Sequence, residues 1–103
     1  MDSKLSLTAF AMHLSLLTAS DTQRDLAQAV RRRRRELKLS RRALAERSGV
    51  PAPTIKRFET TGQISLRQFL LLWQSVDRLE RVAALAAPTP EAPRSIEEVL
   101  RDA

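Results

Sequence analysis

The chain has 103 residues, enough for one domain with a modest core, and carries a net charge of +6 with one histidine, no cysteine and no tyrosine. That composition excludes a deep-clefted multidomain enzyme, a disulfide framework, a thiolate metal site and a cysteine nucleophile. The charge excess is local: residues 21–62 hold 12 Lys/Arg against 5 Asp/Glu, whereas residues 63–103 hold 5 against 6, so a polyanion-binding stretch is joined to a neutral, apolar one.

No run of about 18 apolar residues exists, so no membrane-spanning helix is expected. The opening "MDSKLSLTAFAMHLSLLTAS" lacks a basic cluster, and Ser, Thr and His interrupt its apolar run, so a signal peptide is not expected. Leu7, Phe10, Ala11, Leu14 and Leu17 fit a helical period, while Phe10, Met12, Leu14 and Leu16 fit a strand. Either form makes residues 1–20 an extension packed on the core or on a second subunit, with His13 an ordinary, partly exposed side chain.

"SDTQ" at Ser20–Gln23 reads as a capping box opening a helix from Asp21 to about Leu37, with Leu26, Val30 and Leu37 inward. The run Arg31–Arg35 wraps more than a full turn, so its five guanidinium groups cannot share one face. Ser40 caps the next helix, Arg41–Ser48, with Leu39 and Leu44 as a hydrophobic staple and Gly49 positioned for a positive φ. A helix spans roughly Ala52–Thr60 and stops at Gly62. Pro51 and Pro53 fit its first turn, but each biases the residue before it toward extended backbone, so the helix is expected to settle only near Pro53. Ser65 caps a further helix whose stripe is residues 66, 69, 70, 73 and 76. "DRLERVAALAA" predicts a short fifth helix with Leu79, Val82 and Leu85 inward. "PTPEAPR" reads as a linker, and Ser95 with Glu98 as a second capping box before a last helix, "IEEVLR". The expected fold class is all-α: a compact five-helix domain at 21–86, an extension at 1–20, and a Pro-rich linker with a tail helix at 87–103.

Two short helices joined by a glycine turn form a helix-turn-helix unit. Ala45 stands where the two helices would cross, Gly49 makes the turn, and Val50, Ile55 and Phe58 plug the interior beside Leu44. "LSRRALAERSGVPAPTIKRFE" resembles the helix-turn-helix of the lambda and 434 repressor superfamily, the Cro/repressor or XRE type, over about residues 24–80. The resemblance implies that the second motif helix enters the major groove of DNA. It places Ala52, Pro53, Thr54, Lys56 and Arg57 at base edges, and Ser40, Arg41, Arg42 and Thr60 at phosphates. Where the family often carries polar base readers, Pro51, Ala52 and Pro53 offer only apolar contacts, so readout is expected to shift toward Lys56 and Arg57. Arg34 and Glu59 match a pair that bridges the first and third helices of the family.

The arrangement of domain, helix pair, proline linker and tail also resembles antitoxins encoded beside HipA-type serine/threonine kinase toxins. That resemblance implies a cytoplasmic, nucleoid-associated homodimer that binds a palindromic operator of double-stranded DNA, represses its own operon and neutralises a HipA-like kinase. The tail at 88–103 and the outward part of 66–76 would then face the kinase. A stand-alone phage-like or housekeeping repressor, and a protein-binding inhibitor without DNA binding, remain open readings. An enzyme is not expected, because no nucleophile–base or metal-ligand constellation occurs; neither a cofactor nor a metal is expected.

Overall fold

The structure is a computed structural model that describes residues 16–89 and 100–101. The apolar pattern of residues 7–14, His13 and the Ser95/Glu98 capping box lie outside the described residues. Within them every regular element is a helix, with no strand: α1 is Ala19–Glu36, α2 Arg41–Ser48, α3 Ala52–Thr61, α4 Leu66–Val76 and α5 Leu79–Ala83, the last running into a 3-10 turn at Ala84–Ala86. α1 packs across α3 and α4, α2 packs on the same two helices, and α5 rests on α4.

The N-cap of α1 is Thr18, not Ser20: the Thr18 Oγ1 accepts from the Asp21 amide at 3.0 Å. The cap therefore lies two residues earlier than "SDTQ" suggested, and Gln23 instead reaches across to donate to the Gly62 carbonyl at 3.3 Å. The inward face of α1 differs as well. Ala27, Val30 and Arg34 are buried, whereas Leu26 and Leu37 are 37% and 48% exposed. Hydropathy alone selected the leucines; an ion pair turns the helix so that an arginine points inward. α1 ends in a Schellman motif, with the Lys38 amide bonded to the Arg35 carbonyl at 2.9 Å and the Leu39 amide to the Arg34 carbonyl at 3.0 Å. Lys38 holds the left-handed position at φ 57, where glycine is the usual occupant.

The bounds of α2 and α4 match the sequence expectation. Ser40 Oγ accepts from the Ala43 amide at 3.0 Å and Ser65 Oγ from the Gln68 amide at 3.2 Å, each satisfying an N–H that has no acceptor within its helix. Gly49 and Gly62 close α2 and α3 at φ 80 and 79. The two prolines do not delay α3. Pro51 is its N-cap, its carbonyl accepts from the Ile55 amide at 3.1 Å, and Ala52 is already helical. Pro53 costs α3 no hydrogen bond, because a first-turn amide has no intrahelical acceptor.

The core joins Ala27 and Val30 of α1, Leu44 of α2, Val50 of the turn, Ile55 and Phe58 of α3, and Phe69, Leu72 and Trp73 of α4. Phe58 meets Phe69 edge-on, with ring centroids 6.0 Å apart, a favoured aromatic geometry. Leu39 and Ala45 pack on this core from its edge. At the α4–α5 end the α4 stripe is partly uncovered and one inward assignment, Leu85, fails. Leu66 is 71% exposed, and Leu85 is 84% exposed in the 3-10 turn that follows α5; α5 buries no residue fully. The helically spaced apolar stripe marked a face, but among the described residues only part of that face finds something to pack against.

Candidate nucleic-acid interface

The helix-turn-helix is α2, the turn through Gly49–Pro51, and α3. α3 divides into two faces. Ile55, Phe58 and Glu59 are buried, and Pro53, Lys56, Arg57 and Thr60 are exposed at i, i+3, i+4 and i+7, one continuous stripe. Ala52 and Thr54 are half-buried at its edge. Of the five residues expected at base edges, three therefore stand fully outward. Arg57 is tethered, its Nη2 donating to Gln63 Oε1 at 2.7 Å.

A groove of about 480 Å³ borders this stripe, lined by Pro53, Thr54, Arg57, Gln63, Ile64, Ser65 and Gln68. Gln63 and Gln68 did not stand out in the sequence. The available signal was their position on either side of the Ser65 cap, just after the glycine that ends α3.

The expected phosphate contacts differ in availability. Ser40 is exposed, and its oxygen accepts the Ala43 amide, which leaves the hydroxyl proton free to donate. Arg42 is exposed and only loosely paired with Glu46 at 3.8 Å, an arrangement of little energetic weight. Thr60 gives its hydroxyl proton to the Lys56 carbonyl at 2.6 Å, so as placed it has none to offer a phosphate. Arg41 is half-buried and donates from Nε to Glu59 Oε1 at 3.0 Å.

Behind the stripe, Arg34 grips Glu59 in a fork: Nε to Oε2 at 2.7 Å and Nη2 to Oε1 at 3.0 Å, while Nη1 donates to the Leu39 carbonyl at 2.8 Å. The Glu59 side chain is 1% exposed. Burial pushes its carboxyl up, but hydrogen bonds from Arg34 and Arg41 and the charges of both outweigh burial, and its pKa lies below the ordinary value. The triad ties the end of α1, the start of α2 and the buried face of α3 together.

A second ionic cluster locks α1 to the α4–α5 corner, and nothing in the sequence singled it out. Arg33 Nε donates to Asp77 Oδ2 at 2.6 Å and Arg81 Nη1 to the same oxygen at 2.9 Å. The Arg33 guanidinium lies 4.6 Å from the Trp73 ring centroid, a cation–π contact, and the indole N–H donates to the Arg78 carbonyl at 3.1 Å. The Arg33 hydrogen bond and the Arg78 amide, helped by Arg81, hold the Asp77 carboxyl at about 2. The arginine run is thus divided by role: Arg33 and Arg34 are structural, and Arg32 and Arg35 are exposed.

Residues 30–72 match the helix-turn-helix family model. The matched stretch runs from the middle of α1 into α4 and contains the whole Arg34–Glu59–Arg41 triad and the exposed stripe of α3. The match supports the resemblance to the Cro/repressor type and gives the chain the module of a DNA-binding transcription regulator. No curated protein and no solved structure matches the chain. Among the described residues no helix is long and apolar enough to cross a membrane, and no cluster of His, Cys, Asp or Glu could hold a metal ion.

Proposed function

We propose that the chain is a sequence-specific transcriptional repressor that binds a palindromic operator as a homodimer and serves as the antitoxin of a HipA-like serine/threonine kinase. The observation that carries the DNA-binding part is the exposed Pro53–Lys56–Arg57 stripe on the second helix of a matched helix-turn-helix. In this reading α3 lies in the major groove. Lys56 and Arg57 reach base edges, each good contact being worth roughly 1–3 kcal/mol of discrimination, and Pro53 and Ala52 meet apolar groups such as a thymine methyl. Ser40, Arg41 and Arg42 hold phosphates and make affinity steeply salt-dependent. Thr60 leaves the contact set, because its proton is committed to the backbone.

The homodimer is supported by an open apolar groove of about 470 Å³ between α4 and α5, lined by Leu66, Leu70, Leu79, Val82, Ala83, Leu85 and Ala86. Exposed apolar surface of this kind marks an interaction site. In this reading the domain is the stretch expected at 21–86, with its first helix beginning at Ala19, and the tail at 87–103 together with the exposed α4 residues outside that groove, Arg67 and Gln74, meets the kinase. A gel shift on the chain's own promoter, titrated with salt, tests the DNA part: a discrete complex that dissolves as salt rises supports it, and no shift refutes it. Purification of the native complex tests the antitoxin part. A kinase-sized companion supports it; a dimer bound to DNA without one leaves a stand-alone repressor.

A further inference from the structure

Arg41 stands between the edge of the module proposed above for phosphates and the buried triad. It is the first residue of α2, beside Ser40, on the side of the module assigned above to phosphates. It is also part of the buried triad, because its Nε donates to Glu59 Oε1 at 3.0 Å, the same oxygen that accepts Arg34 Nη2. That bond occupies only Nε. Nη1 and Nη2 make no hydrogen bond to any described residue, and the side chain remains 36% exposed. A guanidinium anchored through one edge keeps a second, planar pair of donors free, the geometry that matches a phosphate.

We infer that Glu59 is a positioning residue for DNA binding: from within the core it holds Arg41 by Nε so that the two Nη groups are set to grip a backbone phosphate. This rests on the DNA-binding reading above and deepens it. Glu59 is itself fixed by the Arg34 fork and is 1% exposed, so it would never touch DNA; its effect passes through Arg41. Arg34 in turn holds the Leu39 carbonyl at 2.8 Å, one residue before the Ser40 cap. The start of α2 and its first arginine are thus registered against the same carboxylate. Holding the rotamer in advance removes part of the side-chain ordering cost of binding.

The test is fluorescence anisotropy of the wild-type chain and three variants on a short random-sequence duplex, titrated with salt. A random duplex reports phosphate contacts without requiring the operator. Arg41→Lys keeps the charge, but a single ammonium cannot hold Glu59 and present a planar pair of donors together. Arg41→Lys is expected to lose roughly tenfold in affinity, with a salt slope little changed because the charge is kept. Glu59→Gln, checked by circular dichroism at the assay temperature, is expected to lose affinity in the same direction. The double variant is expected to bind no worse than the weaker single one.

Wild-type affinity in Arg41→Lys overturns the inference, because charge alone would then suffice. So does tighter or unchanged binding by folded Glu59→Gln, since the carboxylate would then compete with the phosphate or be irrelevant to it. If Glu59→Gln is unfolded, Arg41→Lys decides alone. A wild-type chain with no salt-dependent binding refutes the DNA-binding reading itself, a result distinct from the others.

Discussion

Replacing Arg34 with alanine removes three hydrogen bonds in one step: two to Glu59 and one to the Leu39 carbonyl. Arg41 alone then faces a carboxylate whose side chain is 1% exposed. Breaking a buried pair from one side costs about 3–5 kcal/mol, because the remaining carboxylate keeps its desolvation penalty with only the half-exposed Arg41 to offset it. A domain of this size has about 5–15 kcal/mol in total, so the loss is a large share of its stability. At roughly 4–8 °C per kcal/mol for a small domain, even the lower figure lowers the midpoint by more than about 10 °C. Thermal melts followed by far-ultraviolet circular dichroism, with urea unfolding at 25 °C, measure it. A companion variant, Arg34→Met with Glu59→Leu, removes both charges and leaves apolar side chains of similar bulk; it should recover most of the loss. Two results would refute the reasoning: an Arg34→Ala midpoint within a few degrees of wild type, or a double variant no more stable than the single one.

Three further outcomes are expected. Asp77 is held at about 2 against an ordinary 3.8, a depressed carboxylate whose contribution is complete above about pH 4 and lost as pH falls toward 2; the lowered Glu59 acts in the same direction. Melts across pH should therefore show Asp77→Asn less stable than wild type at pH 7, with the gap closing toward pH 2, and a constant gap would count against the assignment. Gly49 and Gly62 share a φ near +80°, but an added Cβ meets nothing within 4 Å at Gly49, while at Gly62 it comes within 3.1 Å of the Gln23 carbonyl carbon and 3.2 Å of the Arg24 amide nitrogen. Gly49→Ala should cost about 1–2 kcal/mol from the left-handed backbone alone and Gly62→Ala clearly more by urea unfolding; equal costs would mean that α1 is not tightly seated there. Arg57→Ala should weaken operator binding more than random-duplex binding in parallel anisotropy titrations, and equal losses would make Arg57 a phosphate contact only.

Local chemistry made much of the fold legible. Ser40, Ser65, Gly49 and Gly62 each satisfy or release one backbone constraint within a few residues, so their positions fixed the ends of helices before any packing was known. Where longer-range partners decide, the sequence was ambiguous. Leu26 and Leu37 looked more inward than Ala27 and Arg34, because hydropathy cannot register an ion pair formed 25 residues away. Thr18 and Ser20 are both competent caps, and only the backbone path selects between them. Lys38 occupies a left-handed position that ordinarily announces itself by glycine. Leu66 and Leu85 carry the periodicity of a core face, yet among the described residues no element covers them.

The candidate interface shows the same division. The exposed stripe of α3 follows from helical spacing once Ile55, Phe58 and Glu59 are known to be inside. The tether from Arg57 to Gln63, the bond from Thr60 to the backbone and the link from Arg41 to Glu59 arise from side chains meeting across helix ends. Spacing alone does not encode those meetings, and they decide which donors remain free for DNA.

The central claim is that two copies of α3 read one palindrome. Selection of bound sequences from a random duplex library, followed by hydroxyl-radical footprinting on the selected site, tests it directly. The expected result is an enriched inverted repeat with two protected blocks whose centres lie about 34–36 Å apart along the duplex. Failure to enrich any sequence, or a single protected block without two-fold symmetry, would contradict it.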